Sequence, residues 1–97
     1  MHIGICRLEL HVPMSQNLKD KRQVSRSLSA RIRNKFNVAV AEEPDDDLWQ
    51  MLTLVICCAS TDISHAHQML SKVLDFVEDT RRDLEVTDVV TEIVSGV

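Results

Sequence analysis

The residues best suited to chemistry in this chain are cations gathered in one segment. Seven of the 11 Lys and Arg residues lie between Lys19 and Lys35, where Asp20 is the one acid. At about 100° per residue, a helix would align four of them within an arc of roughly 60°: Lys19, Arg22, Arg26 and Arg33. Aligned cations neutralise the phosphates that dominate nucleic-acid affinity. The row predicts a nucleic-acid interface, with a solvated helix face that balances the acidic remainder as the alternative.

The rest of the chain is acidic, and the formal net charge is −4. Its densest acidic cluster is a loop around Pro44: Glu42, Glu43, Asp45, Asp46 and Asp47. Carboxylate oxygens suit a divalent cation, but the segment lacks the spacing and turn glycine of an EF-hand. We therefore expect a solvated loop that repels nucleic acid locally, rather than a metal site.

Cysteine and histidine could supply a metal site or a nucleophile. The cysteines lie in apolar runs and form no Cys-x-x-Cys pair: Cys6, Cys57 and Cys58. His65 and His67 are two residues apart and would diverge by about 200° on a helix. A nucleophilic Cys57 would need His2 or His11 beside it on a neighbouring strand. We expect neither a metal site nor a catalytic residue among them.

Enzymes that handle phosphate would need loops that this sequence lacks. Gly4 and Gly96 lie at opposite ends of the chain, so no glycine-rich cradle exists. Residues 13–17 contain neither glycine nor arginine, which disfavours an acylphosphatase-type anion site. We expect a non-enzymatic protein without a small-molecule cofactor. The rival is an enzyme for an unrecognised small substrate, with Cys57 beside a histidine in a deep pocket.

The first half of the chain predicts a strand, a helix and a short strand. Residues 1–12 alternate between apolar and polar, and Pro13 ends the run. Asn17 can cap the helix, with Asp20 at its third position. Apolar residues at four-residue spacing mark the buried face of this helix: Val24, Leu28, Ile32 and Phe36. Residues 38–41 predict the short second strand.

The second half predicts a strand, a helix and a strand. The segment from Trp49 to Ala59 has two apolar faces, which is typical of a central strand. Thr61 or Asp62 caps a helix with an apolar stripe: Ile63, Ala66, Leu70, Val73, Leu74 and Val77. The final strand runs from residue 84 to residue 94, with a blurred alternation.

The order β-α-β-β-α-β predicts an α+β, ferredoxin-like fold. In that fold a four-stranded antiparallel sheet carries both helices on one face, and a single domain would span residues 1–97. The other face would stay open and carry an apolar patch: Ile3, Ile5, Trp49, Met51 and Val55. Such patches mark protein interfaces. We expect a homodimer or a protein-binding adaptor that uses this face or an exposed edge strand, unless a loop or the C-terminal tail covers the face.

The cellular location follows from features that the sequence lacks. No apolar run approaches the roughly 20 residues that span a bilayer, and residues 1–7 lack the charged and apolar regions of a secretory leader. An odd number of cysteines fits a reducing compartment. We expect a cytoplasmic protein with no membrane partner.

Five segments form a more specific pattern: LELHVP (8–13), NLKDKR (17–22), RIRNKFNVAVAE (31–42), DLWQ (47–50) and SHA (64–66). They resemble the small bacterial family DUF503, also called YlxP-like, over nearly the whole chain. The resemblance implies a ferredoxin-like fold and no catalytic residues. It also implies a link to translation, because genes of the family often lie beside those for translation initiation and ribosome maturation. We therefore predict an RNA-binding accessory module that associates with ribosomal RNA or ribosomal particles.

Overall fold

Two long strands at the centre of the sheet supply its apolar face. A computed structural model describes residues 1–44 and 48–97. In it β1 (His2–His11) and β3 (Met51–Ser60) pair antiparallel along their full lengths. Alternate side chains of both strands are buried on one side: Cys6, Leu8, Leu10, Leu52, Leu54 and Ile56. This side of the sheet forms one wall of the core.

Two helices of 18 residues each cover that wall: α1 (Leu18–Lys35) and α2 (Ile63–Thr80). Both begin at a capping side chain. The Asn17 Oδ1 atom accepts a hydrogen bond from the Asp20 backbone N–H at 2.9 Å, which confirms the predicted cap. Of the two candidates for the second cap, Asp62 is the one used, and its Oδ1 accepts from the Ser64 N–H at 2.7 Å. Local sequence signals therefore fix where both helices start.

The edge strands complete the predicted topology. β2 (Ala39–Glu42) pairs with β3, and β4 (Glu85–Ser95) pairs with β1, both antiparallel. The sheet order is β2-β3-β1-β4, with both helices on one face, so the ferredoxin-like prediction is confirmed. A bulge near Thr87 shifts the β4 register, and the Thr87 Oγ1 atom donates to the Glu9 carbonyl at 3.2 Å. This bulge explains the blurred alternation of the last strand.

Two local predictions are wrong. β3 begins at Met51, so Trp49 lies in the turn before the strand rather than in it. Gln50 fixes that turn, because its Nε2 donates to the carbonyls of Pro13 (3.3 Å) and Ser15 (3.2 Å). Ile63 was expected in the buried stripe of α2, yet it is 44% exposed because it stands at the first position of the helix.

Neither helix could cross a membrane. Among the described residues, none forms a helix that is both long enough and apolar enough to do so.

Candidate nucleic-acid interface

The four predicted cations lie on the solvent side of α1. Leu28 and Ile32 anchor the opposite side of the helix in the core with no exposed surface. The four side chains are exposed, and we call them the basic row: Lys19, Arg22, Arg26 and Arg33. At 1.5 Å per residue the row extends about 21 Å along the helix axis. The structure therefore brings the predicted residues together on one surface.

No carboxylate among the described residues neutralises the basic row. The ion pairs found in residues 1–44 and 48–97 join other residues: Arg7–Glu43, His11–Glu85 and Arg81–Asp83. Within the row, Arg33 has a contact of its own, because its Nη1 lies 3.4 Å from the Val40 carbonyl oxygen. That contact ties the C-terminal end of the row to β2. The row thus keeps its charge available to a ligand.

Two other lysines of α1 have different surroundings. Lys21 is buried, and its Nζ donates to the Leu48 carbonyl at 3.1 Å. Lys35 places its Nζ 5.0 Å from the centre of the Phe76 ring, within the range of a cation–π contact. Both lysines therefore have contacts within the protein and do not belong to the basic row.

Of the acids predicted in the loop around Pro44, the structure describes Glu42 and Glu43. Glu43 Oε2 accepts from Arg7 Nε at 2.9 Å, and Arg7 Nη2 lies 2.8 Å from the same oxygen. Its charge is therefore directed to the open face of the sheet. Glu42 is exposed at the end of β2. Asp45, Asp46 and Asp47, which completed the predicted acidic loop, lie outside the described residues.

The open face of the sheet holds four of the five predicted interface residues. Ile3, Ile5, Met51 and Val55 are half-buried on two strands that pair with each other. Ile3 and Ile5 lie toward one end of the pair, Val55 lies opposite Arg7, and Met51 lies opposite His11 at the other end. Trp49 lies in the turn that precedes β3, and 48% of its surface is exposed. It borders a cavity of about 350 Å³ together with His11 and Met51. Trp49 is thus an extension of the face rather than part of the strand.

The cysteines and histidines form no nucleophilic pair. Cys57 lies opposite Ile5 and Ala39 in the sheet. The His2 Nδ1 atom is 2.7 Å from Ser95 Oγ, and His11 Nδ1 is 3.8 Å from Glu85 Oε2, so both histidines have other neighbours. Burial raises the pKa of the Cys6 and Cys58 thiols, which keeps them protonated. No group of three His, Cys, Asp or Glu in the described parts of the chain could hold a metal ion.

One polar contact was missed by the sequence analysis. Ser60 Oγ lies 3.0 Å from His65 Nδ1 and accepts from the Asp62 backbone N–H at 3.1 Å. The Asp62 carboxylate caps α2 and therefore does not orient the imidazole as a catalytic triad requires. The spacing Ser-x-Asp-x-x-His was a signal for this contact, but its geometry is that of a helix start.

Sequence comparison identifies the family. The family described as "Protein of unknown function (DUF503)" matches residues 3–91. The chain belongs to DUF503. A curated relative, "Uncharacterized protein YlxP" of Bacillus subtilis (strain 168), is 32% identical over 76 residues, which cover 78% of this chain and 83% of the relative. The resemblance seen in the sequence is therefore confirmed, and neither description assigns an activity to DUF503.

Solved structures support the fold of this DUF503 chain. The de novo designed protein Foldit4 matches with a TM-score of 0.54 at 12% identity, over 97% of this chain and 98% of that one. The solution NMR structure of the de novo designed protein LFR1 1 with ferredoxin fold matches with a TM-score of 0.55 at 10% identity, over 100% and 88%. Identities this low establish the architecture alone.

Proposed function

We propose that this DUF503 chain is a cytoplasmic, non-enzymatic accessory module that binds RNA of ribosomal particles through the basic row. The observation that carries the proposal is a set of four exposed cations on one helix face, without a carboxylate partner among the described residues. A row of this kind can contact successive phosphates of a polyanion. The link to translation implied by the family selects RNA among polyanions.

The contact is proposed to read phosphates and not bases. Phe36 and Phe76 form an edge-to-face pair with ring centres 5.6 Å apart and pack against the core, so they are not free to stack on bases. Trp49 is exposed, but it stands at the end of the sheet rather than on a strand. Because sequence-specific RNA modules of this fold stack bases on strand aromatics, affinity should vary little with RNA sequence.

The first test is the salt dependence of binding to single-stranded RNA. With four phosphate contacts and a slope of roughly −0.7 per contact, log K plotted against log salt should fall with a slope of about −3. Fluorescence anisotropy with a labelled oligonucleotide measures it. A slope near zero would show that the row does not contact phosphates.

The second test reverses two charges at the centre of the row. Arg22→Glu with Arg26→Glu should abolish co-sedimentation with ribosomal particles, because two phosphate contacts become repulsions. Lys72→Glu with Arg82→Glu is the matched control, since both residues are exposed on or beside α2 and the net charge changes equally. Equal binding by the two double variants would refute the row as the contact surface.

A second candidate function is homodimerisation through the open face. No described element covers this face, and its half-buried apolar residues adjoin the exposed Val90 and Val94 of β4. Three strands of ten or eleven residues, with the four-residue β2 at one edge, give a face of up to roughly 33 by 15 Å. That is about 500 Å² per partner, near the lower limit for a specific complex. A weak dimer formed by a second copy fits this area.

Sedimentation velocity tests the dimer directly. The protein should dimerise at high micromolar concentration, and Val55→Asp should leave it monomeric because a charge would enter the contact. Val55→Thr, which preserves shape, should dimerise almost normally. A wild-type protein that stays monomeric at millimolar concentration would eliminate this candidate, while the RNA proposal would stand.

A further inference from the structure

The outer edge of β4 has the features of a site for strand addition. β4 is 11 residues long and pairs with β1 on one side, and no described strand pairs with its other side. Exposed strand edges recruit extended segments unless they are shortened or covered, and charges of one sign along an edge disfavour pairing with a strand of the same charge. A long edge strand whose outer side has no described partner therefore raises the question of what could bind there.

The register shows which backbone groups point outward. Val12 N–H donates to the Gln50 carbonyl at 2.8 Å, so even-numbered residues of β1 direct their backbone groups to β3. Leu8 is one of them, and it lies opposite Val89. The N–H and C=O groups of Val89 must then point away from β1, and the same alternation applies to Thr91 and Ile93. These three residues present free backbone donors and acceptors.

Acidic side chains outnumber basic ones around this edge. β4 contains Glu85, Asp88 and Glu92 and no Lys or Arg. Glu78 and Asp79, near the end of α2, lie on its helix side with Arg82. On the open face, His11 Nδ1 lies 3.8 Å from Glu85 Oε2, and Arg7, which pairs with Glu43, lies opposite Val90. The edge would therefore attract a cationic segment and repel an acidic one.

The helix side of β4 also has space for incoming side chains. A cavity of about 540 Å³ is bordered by Leu84, Val86 and the acids of α2, and one of about 100 Å³ is bordered by Val89, Thr91 and His67. Val89 is 38% exposed because α2 does not cover it fully. On the opposite face Val90 is 52% exposed. On both faces of β4, exposed valines thus lie between acidic residues and can contact apolar side chains of a partner.

We propose that the β4 edge binds an extended, basic segment of another protein, which adds to the sheet as a fifth strand. Backbone hydrogen bonds would supply affinity, and alternating basic and apolar side chains would supply specificity. A second copy of this chain fits poorly, because antiparallel pairing of two β4 strands gathers six carboxylates with no Lys or Arg in either strand. The site lies apart from the basic row and does not depend on it.

A short synthetic peptide serves as the probe. A fluorescein-labelled octapeptide of alternating lysine and valine should bind the wild-type protein at least about tenfold more tightly than an octapeptide of alternating glutamate and valine. Methylating all of its backbone amide nitrogens should abolish binding, because both edges of the peptide then lose their backbone donors. Equal binding of the methylated and unmethylated peptides would refute strand addition.

Val89→Pro tests the edge from the side of the protein. The substitution removes an outward N–H and leaves the β1–β4 hydrogen bonds in place, so an edge strand can accommodate it. Peptide affinity should fall about tenfold, whereas Val89→Ala should change it less than threefold. If Val89→Pro unfolds the protein, the methylated peptide decides the question on the wild type. Dimerisation in place of peptide binding would overturn the proposal, and RNA binding should be unaffected in all variants.

Discussion

The two halves of this molecule repeat one arrangement with different surfaces. β1-α1-β2 and β3-α2-β4 each place a helix on the same side of the sheet. The buried face of α2 is entirely apolar: Ala66, Leu70, Val73 and Val77. The buried face of α1 combines Leu28 and Ile32 with Lys21, Ser25 and Ser29. The first helix thus depends on fewer apolar contacts and carries most of the positive charge of the chain.

The two edges of the sheet differ in the same way. β2 has four residues, and Arg33 of α1 donates to its Val40 carbonyl. β4 has 11 residues and three acids, and the described part of the chain offers its outer side no partner. The first half therefore has a cationic helix beside a short edge strand. The second half has a long, acidic edge strand beside a helix whose buried face is apolar. One architecture can carry two surfaces of opposite charge because the fold constrains the core and leaves the surfaces free.

The largest expected effect is in the core of the second half. Leu70→Ala removes a side chain that packs against β1 and should lower the free energy of unfolding by about 3 kcal/mol. Ile63→Ala, on the same helix, should change it by no more than about 0.5 kcal/mol because Ile63 is largely exposed. Urea denaturation of both variants measures the difference. Similar losses would show that α2 is not anchored where the structure places it.

A smaller effect is expected where α2 approaches β1 most closely. A Cβ atom on Gly4 would lie 3.1 Å from both Cys58 Sγ and Leu70 Cδ1. Gly4→Ala should therefore cost about 1 kcal/mol, since core side chains must shift, with a partial offset from the stiffer unfolded chain. The cost should fall in a Leu70→Ala background, where space has been made. An unchanged cost in the double variant would locate the strain elsewhere.

The comparison of the halves also shows what sequence could predict. Faces and caps followed from local periodicity, as the alternation of β1 and the caps Asn17 and Asp62 illustrate. The turn at Trp49 did not, because the Gln50 contacts that fix it come from residues 35 and 37 positions away. The alternation of apolar residues continued from Trp49 into β3, so the pattern did not reveal the turn.

In the candidate site, too, the features set by local sequence could be predicted and those set by tertiary packing could not. The basic row follows from helix geometry alone, so its alignment was predictable. The lack of carboxylates around it among the described residues, and the contact between Arg33 and Val40, depend on tertiary packing. The edge position of β4 follows from the predicted fold, but the lack of a described partner on its outer side depends on tertiary packing. Sequence therefore located the cations, and the structure showed their neighbours.

The two helix caps allow a closer comparison of the halves. Asp62 accepts from the N–H groups of Ser64 and His65 and carries a negative charge at the helix N-terminus, whereas Asn17 accepts from the N–H of Asp20 and is neutral. Asp62→Ala should cost about 1.5 kcal/mol and Asn17→Ala about 1 kcal/mol. Thermal unfolding of the two variants measures both. The reverse order would show that α1 needs its cap more than α2 does.

The smallest expected effect on the free energy of unfolding is at the C-terminal ends of the two helices, where only the contact after α2 should depend on pH. Arg81 after α2 binds the Asp83 carboxylate through two hydrogen bonds, of 2.8 and 3.0 Å, and this interaction lowers the pKa of Asp83. Stability from the pair is therefore complete above the ordinary Asp pKa of about 3.9 and is lost as pH falls through the lowered value. Because Asp83 is largely exposed, solvent screening limits the contribution to about 0.5 kcal/mol.

Arg81→Gln should therefore lower the free energy of unfolding more at pH 7 than near pH 2, as measured by urea denaturation at both pH values. Arg33→Gln is the matched variant at the end of α1, where the acceptor is the Val40 carbonyl and does not titrate. Its effect should be the same at both pH values. A pH-dependent loss in Arg33→Gln would mean that a carboxylate also contacts the basic row, and the contrast between the two halves would weaken accordingly.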